Sequence, residues 1–95
     1  MAISFVVFSC GGLCHPDVKK KRIKKRSTVY LIGDGTAAIL TFPNGSPFAA
    51  PSPIRVPKNG FIKTTAGAAT GTFKYTLSCP SCPSGSEDPS IIIGL

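Results

Sequence analysis

The sequence predicts an all-β fold, a sandwich or a barrel of short strands. Chain breakers are frequent, with 10 Gly and 9 Pro among 95 residues, a length that suits one domain. Only residues 17–32 form a long stretch without either, and the apolar side chains there do not fall on one helical stripe. β-branched and aromatic residues instead cluster between turn-forming residues, as strands require.

The clearest strand is predicted at residues 72–78. Phe73, Tyr75 and Leu77 alternate there with polar residues, so one face is apolar and the other polar. This two-residue period is typical of a half-buried antiparallel strand.

Two further strands, residues 27–32 and 36–42, are separated by Gly33-Asp34-Gly35. An Asp-Gly step between β-rich runs is a strong hairpin signal, because Gly, Asn and Asp adopt positive φ at little cost. The sequence therefore predicts a hairpin here.

Short apolar runs predict the remaining strands, which brings the total to six or seven: residues 2–8, 54–56, 61–63 and 91–93. Asn59-Gly60 is a turn signal between the second and third of these runs, and the last run is apolar on both faces, which indicates a covered strand. Residues 46–57 contain four prolines and are predicted to cross between sheets.

Charge is confined to one part of the chain. The net charge is +7, and seven of the eleven cations form what we call the basic segment, residues 19–26: Lys19, Lys20, Lys21, Arg22, Lys24, Lys25 and Arg26. The other four cations balance the four acidic residues, so the rest of the chain is neutral. Three interpretations stay open: a solvated mobile block, a non-specific contact to nucleic acid or another anion, and protection of an exposed strand edge.

The four cysteines form two local pairs, Cys10 with Cys14 and Cys79 with Cys82. Such pairs are typical of a zinc site in which two turns supply two thiolates each, and His15 is an alternative ligand. Reduced thiols, disulfides within or between the pairs, and a redox role for the second pair are the other interpretations. Zinc is the only cofactor that the residues suggest.

The sequence also resembles a known family in three places. Gly71-Thr72-Phe73-Lys74-Tyr75-Thr76 resembles the penultimate strand of cupredoxins, and Asp88-Pro89-Ser90-Ile91-Ile92-Ile93 is similar to the closing strand of small cupredoxin-like proteins. The turn Phe42-Pro43-Asn44-Gly45 is also similar. The resemblance runs from about residue 27 to the end and implies a Greek-key β-sandwich, cupredoxin-like or immunoglobulin-like. It also implies a domain at residues 27–95, with residues 1–26 as an N-terminal strand plus basic segment, or as an appendage.

The copper chemistry of that family is not expected here. Copper-binding members use a histidine after an asparagine-containing turn, then a cysteine, a histidine and usually a methionine from the loop after the aromatic strand. Cys79 or Cys82 would supply the thiolate, but no histidine follows His15, and Met1 is the only methionine.

No enzyme is predicted, because the sequence offers no set of nucleophile, base and oxyanion donors. The expected function is a binding or structural module with a protein partner of unknown identity. The alternative is a zinc-stabilised domain whose basic segment binds nucleic acid. No apolar run approaches the roughly 20 residues of a membrane span. No secretory signal is recognised, so an intracellular location is expected.

Overall fold

Ten short strands and no helix are formed by residues 3–80, 82–83 and 89–94, the part of the chain that the computed structural model describes. The strands are β1 (Ile3–Cys10), β2 (Cys14–Pro16), β3 (Lys20–Lys24), β4 (Thr28–Asp34), β5 (Ala38–Thr41), β6 (Ile54–Val56), β7 (Phe61–Thr65), β8 (Gly71–Lys74), β9 (Thr76–Ser78) and β10 (Ser90–Gly94). The prediction of an all-β fold is confirmed. Within the described residues, no helix has the length and apolarity to cross a membrane.

The strands are arranged in three sheets. The largest has the order β2-β1-β4-β7, and the two smaller ones have the orders β3-β10-β8 and β6-β5-β9. Two pairings are parallel, β1 with β4 and β3 with β10, and the other strand pairings are antiparallel. Parallel neighbours need long connections, so the chain crosses the sandwich between them.

One continuous stretch, β8 and β9, links the two smaller sheets. β8 pairs with β10, whereas β9 pairs with β5, and Tyr75 stands between them. The Tyr75 N–H donates to the Pro89 carbonyl at 3.0 Å, which satisfies the backbone where the chain changes sheet. The single strand predicted at residues 72–78 is therefore two strands, although its apolar side does face inward: Tyr75 and Leu77 are buried and Phe73 is half-buried.

The predicted hairpin between β4 and β5 is wrong. Both edges of β4 are already occupied, by β1 and by β7, and β5 lies in a different sheet. The turn at Gly33-Asp34-Gly35 instead carries the chain from one sheet to the other. Gly35 has the expected positive φ of 73°, and its N–H donates to Oδ1 of Asn59 at 2.8 Å.

The N-terminal residues take part in two sheets. β1 lies between β2 and β4, and β3 pairs with β10. The boundary at residue 26 stays a prediction about domain division. β10 lies between β3 and β8, with Ile91 and Ile93 buried and Ile92 half-buried, in agreement with the covered strand predicted there.

Alternate residues of the strands form the core. The largest fully buried side chains come from strands of all three sheets and from the turn before β5: Phe8, Leu31, Leu40, Ile91, Ile93, Val6, Val29, Val56 and Thr36. Burial of each large apolar side chain contributes about 1.5–3 kcal/mol relative to exposure. A thin core of this kind is sensitive to any change in packing.

Gly33→Ala is expected to lower the free energy of unfolding by about 1–3 kcal/mol, the usual cost of overpacking. Gly33 is buried at the end of β4, and a Cβ there would press on the backbone carbonyls of Thr36 and Pro57. Urea unfolding followed by circular dichroism measures the change. Gly94→Ala is the matched control, because a Cβ at that strand position meets no atom within 4 Å. Equal urea midpoints for the two variants would contradict the prediction.

Candidate functional site

Two tight turns hold the four cysteines. β1 and β2 form a hairpin in which Cys10 lies directly opposite Cys14, and Gly12 in its turn has a φ of 100°. After β9, Cys79 and Cys82 form an antiparallel bridge, and the Cys82 N–H donates to the Cys79 carbonyl at 3.0 Å. Each turn therefore holds its two cysteines as cross-strand neighbours.

Two disulfides join these turns crosswise. Cys10 is bonded to Cys82 and Cys14 to Cys79, with Cα–Cα distances of 6.2 and 5.7 Å. We call these four residues the cysteine clasp. Of the interpretations left open by the sequence, the structure shows disulfides between the pairs, and none of the four cysteines is free.

The zinc prediction remains untested. Zinc is bound by thiolates, whereas all four sulfur atoms are disulfide-bonded here. Among residues 3–80, 82–83 and 89–94, no group of three or more His, Cys, Asp or Glu side chains is placed to hold a metal ion. Zinc coordination by Cys10, Cys14, Cys79 and Cys82 can therefore concern only the reduced chain.

The two bonds of the clasp differ in exposure. Cys14, Cys79 and Cys82 are buried, whereas Cys10 is exposed. The Cys14 N–H also donates to the Pro83 carbonyl at 2.8 Å, which ties the two turns together through the backbone. The Cys10–Cys82 bond therefore has one exposed residue, whereas both residues of the Cys14–Cys79 bond are buried.

A row of partly exposed aromatic rings runs across β1, β4 and β7 of the four-stranded sheet. The rings of Phe5 and Tyr30 stack with centroids 5.5 Å apart, and Tyr30 and Phe61 lie 5.6 Å apart. Phe5 and Phe61 are 51% and 58% exposed. Lys63 lies opposite Tyr30 on β7 and is also exposed. We call Phe5, Tyr30 and Phe61 the aromatic face.

Sequence reasoning missed the aromatic face because β1 and β4 carry apolar residues on both sides. That pattern favours strands covered on both faces, yet only the side bearing Val6, Phe8, Val29 and Leu31 is buried. The sequence does show an aromatic residue in each of three strands, β1, β4 and β7. Whether these rings lie next to each other depends on how the three strands pair.

Most of the basic segment forms the strand β3, and its other residues flank that strand. β3 is the outermost described strand of its sheet and pairs with β10 on one side. Ile23 is buried, whereas Lys20, Arg22 and Lys24 are exposed. Lysine on an outer strand discourages pairing with another chain, so this placement agrees with edge protection. It leaves the nucleic-acid contact untested.

The basic segment ends where the aromatic sheet begins. Its last residue, Arg26, donates its N–H to the Gly67 carbonyl at 3.3 Å. Thr28 then starts β4, paired with Ile3 of β1 on one side and Thr65 of β7 on the other. Arg26 therefore lies at one end of the sheet that carries the aromatic face.

Tyr75 is a buried titratable group. It packs against Phe42, with ring centroids 5.1 Å apart, and edge-on against Phe8, at 6.5 Å. Its hydroxyl has no hydrogen-bond partner among the described residues. Burial, with a smaller contribution from the Asp17 carboxylate, raises the pKa of the Tyr75 phenol far above its ordinary value. The phenol is therefore neutral and serves packing.

The residues considered for type-1 copper lie apart or are chemically engaged. Cys79 and Cys82 are in disulfides, and Nδ1 of His15 lies 3.1 Å from the Pro16 carbonyl oxygen. β5 and β9 are antiparallel, so the turn Phe42–Gly45 after β5 lies at the opposite end of β9 from the cysteines. The sole methionine lies outside the described residues.

Similarity to solved structures identifies the fold. The purple cupredoxin from Nitrosopumilus maritimus superimposes with a TM-score of 0.63 at 15% sequence identity, over 96% of this chain and 99% of that chain. Amicyanin from Paracoccus versutus superimposes with a TM-score of 0.57 at 16% identity, over 94% of this chain and 80% of that chain. No protein-family model matches the sequence, and no curated protein matches it. The predicted cupredoxin-like sandwich is thus confirmed as a fold.

Replacing Cys14 and Cys79 together by Ala is expected to lower the free energy of unfolding by about 2–3 kcal/mol, because the remaining Cys10–Cys82 bond already joins the two turns and the second bond closes only the short ring that the turns form. Chemical denaturation of the variant and of the unmodified chain, both under non-reducing conditions, measures the loss.

Proteolytic mapping of the unreduced chain tests the pairing independently. The fragment containing Cys14 is expected to remain linked to the fragment containing Cys79 until a reductant is added. A fragment in which Cys10 is bonded to Cys14 would contradict the crosswise arrangement.

Proposed function

We propose that this chain is a non-enzymatic binding module that holds single-stranded nucleic acid without sequence preference and does not transfer electrons through type-1 copper. The observation that carries the proposal is the aromatic face, with the last residue of the basic segment, Arg26, two residues before β4 of the same sheet. The proposal joins the two expectations drawn from the sequence, a binding module and a basic segment that contacts nucleic acid.

The aromatic face supplies surfaces for base stacking. Phe5 and Phe61 expose about half of their side chains, and Tyr30 lies between them. Every base has a π-face, so stacking on such rings tolerates any sequence and contributes about 1–3 kcal/mol per base. Three rings in one row suit a strand whose bases are unpaired.

The cations supply the affinity for phosphates. The whole net charge of +7 resides in the basic segment, whose exposed members on β3 are Lys20, Arg22 and Lys24. Lys63 adds a cation within the aromatic sheet, opposite Tyr30. Neutralised phosphates release counterions, so this contribution is independent of sequence and falls with salt.

The environment of each reactive group favours binding over catalysis. All four cysteines are oxidised, and the Tyr75 phenol is buried and neutral. His15 follows Cys14 of the clasp, and its Nδ1 lies 3.1 Å from the Pro16 carbonyl oxygen. A catalytic base must lie within hydrogen-bond reach of the proton that it removes.

Addition of Cu²⁺ to the oxidised chain is expected to give no intense thiolate-to-copper absorption band in the visible region, because no thiolate is free to bind the metal. Amicyanin, variants of which have been solved in an oxidised state, is the positive control in that state, because Cu(I) gives no such band. An intense band from the oxidised chain would contradict the proposal.

Phe5→Ala combined with Phe61→Ala is expected to weaken binding of a fluorescent oligothymidine at least tenfold, since about 1.4 kcal/mol of lost stacking is a factor of ten. Fluorescence anisotropy at low salt measures the affinity. Leu13→Ala is the matched control, because Leu13 is 50% exposed but lies in the turn between β1 and β2. Equal affinities for the aromatic variant and the unmodified chain would contradict the proposal.

The salt dependence tests the cations separately. Lys20→Ser combined with Arg22→Ser and Lys24→Ser should reduce the slope of log affinity against log salt by about 2. Each phosphate contact on a single strand contributes about 0.7 to that slope. Arg55→Ser, an exposed site on β6, is the control. The unmodified chain could instead fail to bind oligothymidine but self-associate, and the Phe5→Ala, Phe61→Ala variant could lose that self-association. In that case the aromatic face binds protein, and the nucleic-acid proposal is wrong.

A further inference from the structure

We infer that the cysteine clasp has a second chemical state, a zinc site of four thiolates formed when both disulfides are reduced. This inference concerns the end of the sandwich where β1 ends, and it does not depend on nucleic-acid binding. Its basis is the arrangement of the two turns, which places all four cysteines in one compact array.

Four short separations define the array. The bonded pairs have Cα–Cα distances of 6.2 Å for Cys10 and Cys82 and 5.7 Å for Cys14 and Cys79. Cys10 lies directly opposite Cys14, and Cys79 opposite Cys82, where antiparallel partners are about 4.5–5.5 Å apart. The four Cα atoms are therefore the corners of one small quadrilateral.

A tetrahedral zinc ion fits such an array with little movement. A Zn–S bond of about 2.3 Å places neighbouring sulfurs about 3.8 Å apart, compared with about 2.05 Å in a disulfide. The two sulfurs of each disulfide must therefore separate by less than about 2 Å, a distance that side-chain rotation supplies. The spacings Cys-x₃-Cys and Cys-x₂-Cys are both within the range of structural zinc sites.

The exposure of the clasp sets the order of reduction. A dithiol reductant attacks the Cys10–Cys82 bond at its exposed end, and a mixed disulfide forms and is released as the reductant closes into its own cyclic disulfide. A second dithiol reduces the buried Cys14–Cys79 bond in the same way. Two dithiols are oxidised, four protein thiols form, and binding of one Zn²⁺ releases four protons to give a site with a charge of −2.

The disulfide-bonded state and the zinc-bound state both link the same two segments of the chain. Both connect the β1–β2 hairpin to the segment after β9, so the sandwich stays closed at this end whether the surroundings are oxidising or reducing. The intracellular location expected from the sequence would favour the reduced state, since cytosolic reductants keep thiols free. The reduced chain without metal has neither connection and should be the least stable form.

Cobalt titration of the anaerobically reduced chain tests this inference. We expect one Co²⁺ per chain with the intense absorption of tetrahedral thiolate coordination, displaced by one equivalent of Zn²⁺, and no such absorption from the oxidised chain. Zn²⁺ should raise the melting temperature of the reduced chain, and a chelator should reverse the effect.

Three variants assign the ligands. Cys10→Ser with Cys82→Ser should abolish the cobalt spectrum, whereas His15→Ala should keep it, because four thiolates complete the tetrahedron. A reduced chain that retains its β-sheet circular dichroism but binds no cobalt would overturn the inference. A reduced chain that unfolds and is not refolded by Zn²⁺ would overturn it as well. Neither result bears on oligothymidine binding by the oxidised chain, so the two proposals fail separately.

Discussion

The crosswise pairing of the four cysteines is the constraint on which one end of the sandwich depends. It joins the first hairpin to the segment after β9, two parts of the chain that are 65 to 72 residues apart. A chain of 95 residues can bury only a thin core, so covalent links between distant segments contribute a large share of its stability. The same array of four cysteines is the basis of the zinc site that we propose for the reduced chain.

The position of β1 decides which surface of the protein is free. Because β1 pairs with β4 in parallel, Phe5 lies beside Tyr30, and antiparallel pairing of β4 with β7 adds Phe61 to the row. No described segment covers this side of Phe5 or Phe61, which stay half exposed. The basic segment follows β2 and forms the outer strand β3 of another sheet, and its last residue, Arg26, lies two residues before β4. The cysteines lie at the other end of β1.

The cupredoxin fold and the copper site of that family make different demands on a chain. The fold needs alternating apolar residues, turns and a pair of facing sheets, all of which this chain supplies. Copper binding needs imidazole and thiolate ligands at one place, and the cysteines that follow β9 are engaged in disulfides instead. A widely used fold can therefore carry a different site on the same scaffold.

Local patterns were sufficient for the fold class. The alternation at Phe73, Tyr75 and Leu77 identified the buried side of its strands, and the apolar run at residues 91–93 identified a covered strand, because burial depends on side-chain period and composition. Those local patterns did not predict which strands pair with each other. An Asp-Gly step favours a tight turn in any sheet, but it became a crossing because β1 and β7 occupy both edges of β4. The sequence by itself thus determined that strands form and, where polar and apolar residues alternate, which side of a strand is buried. The tertiary structure alone decided which side of β1 and β4 is exposed, which cysteines bond and which rings meet, since those contacts join residues far apart in the chain.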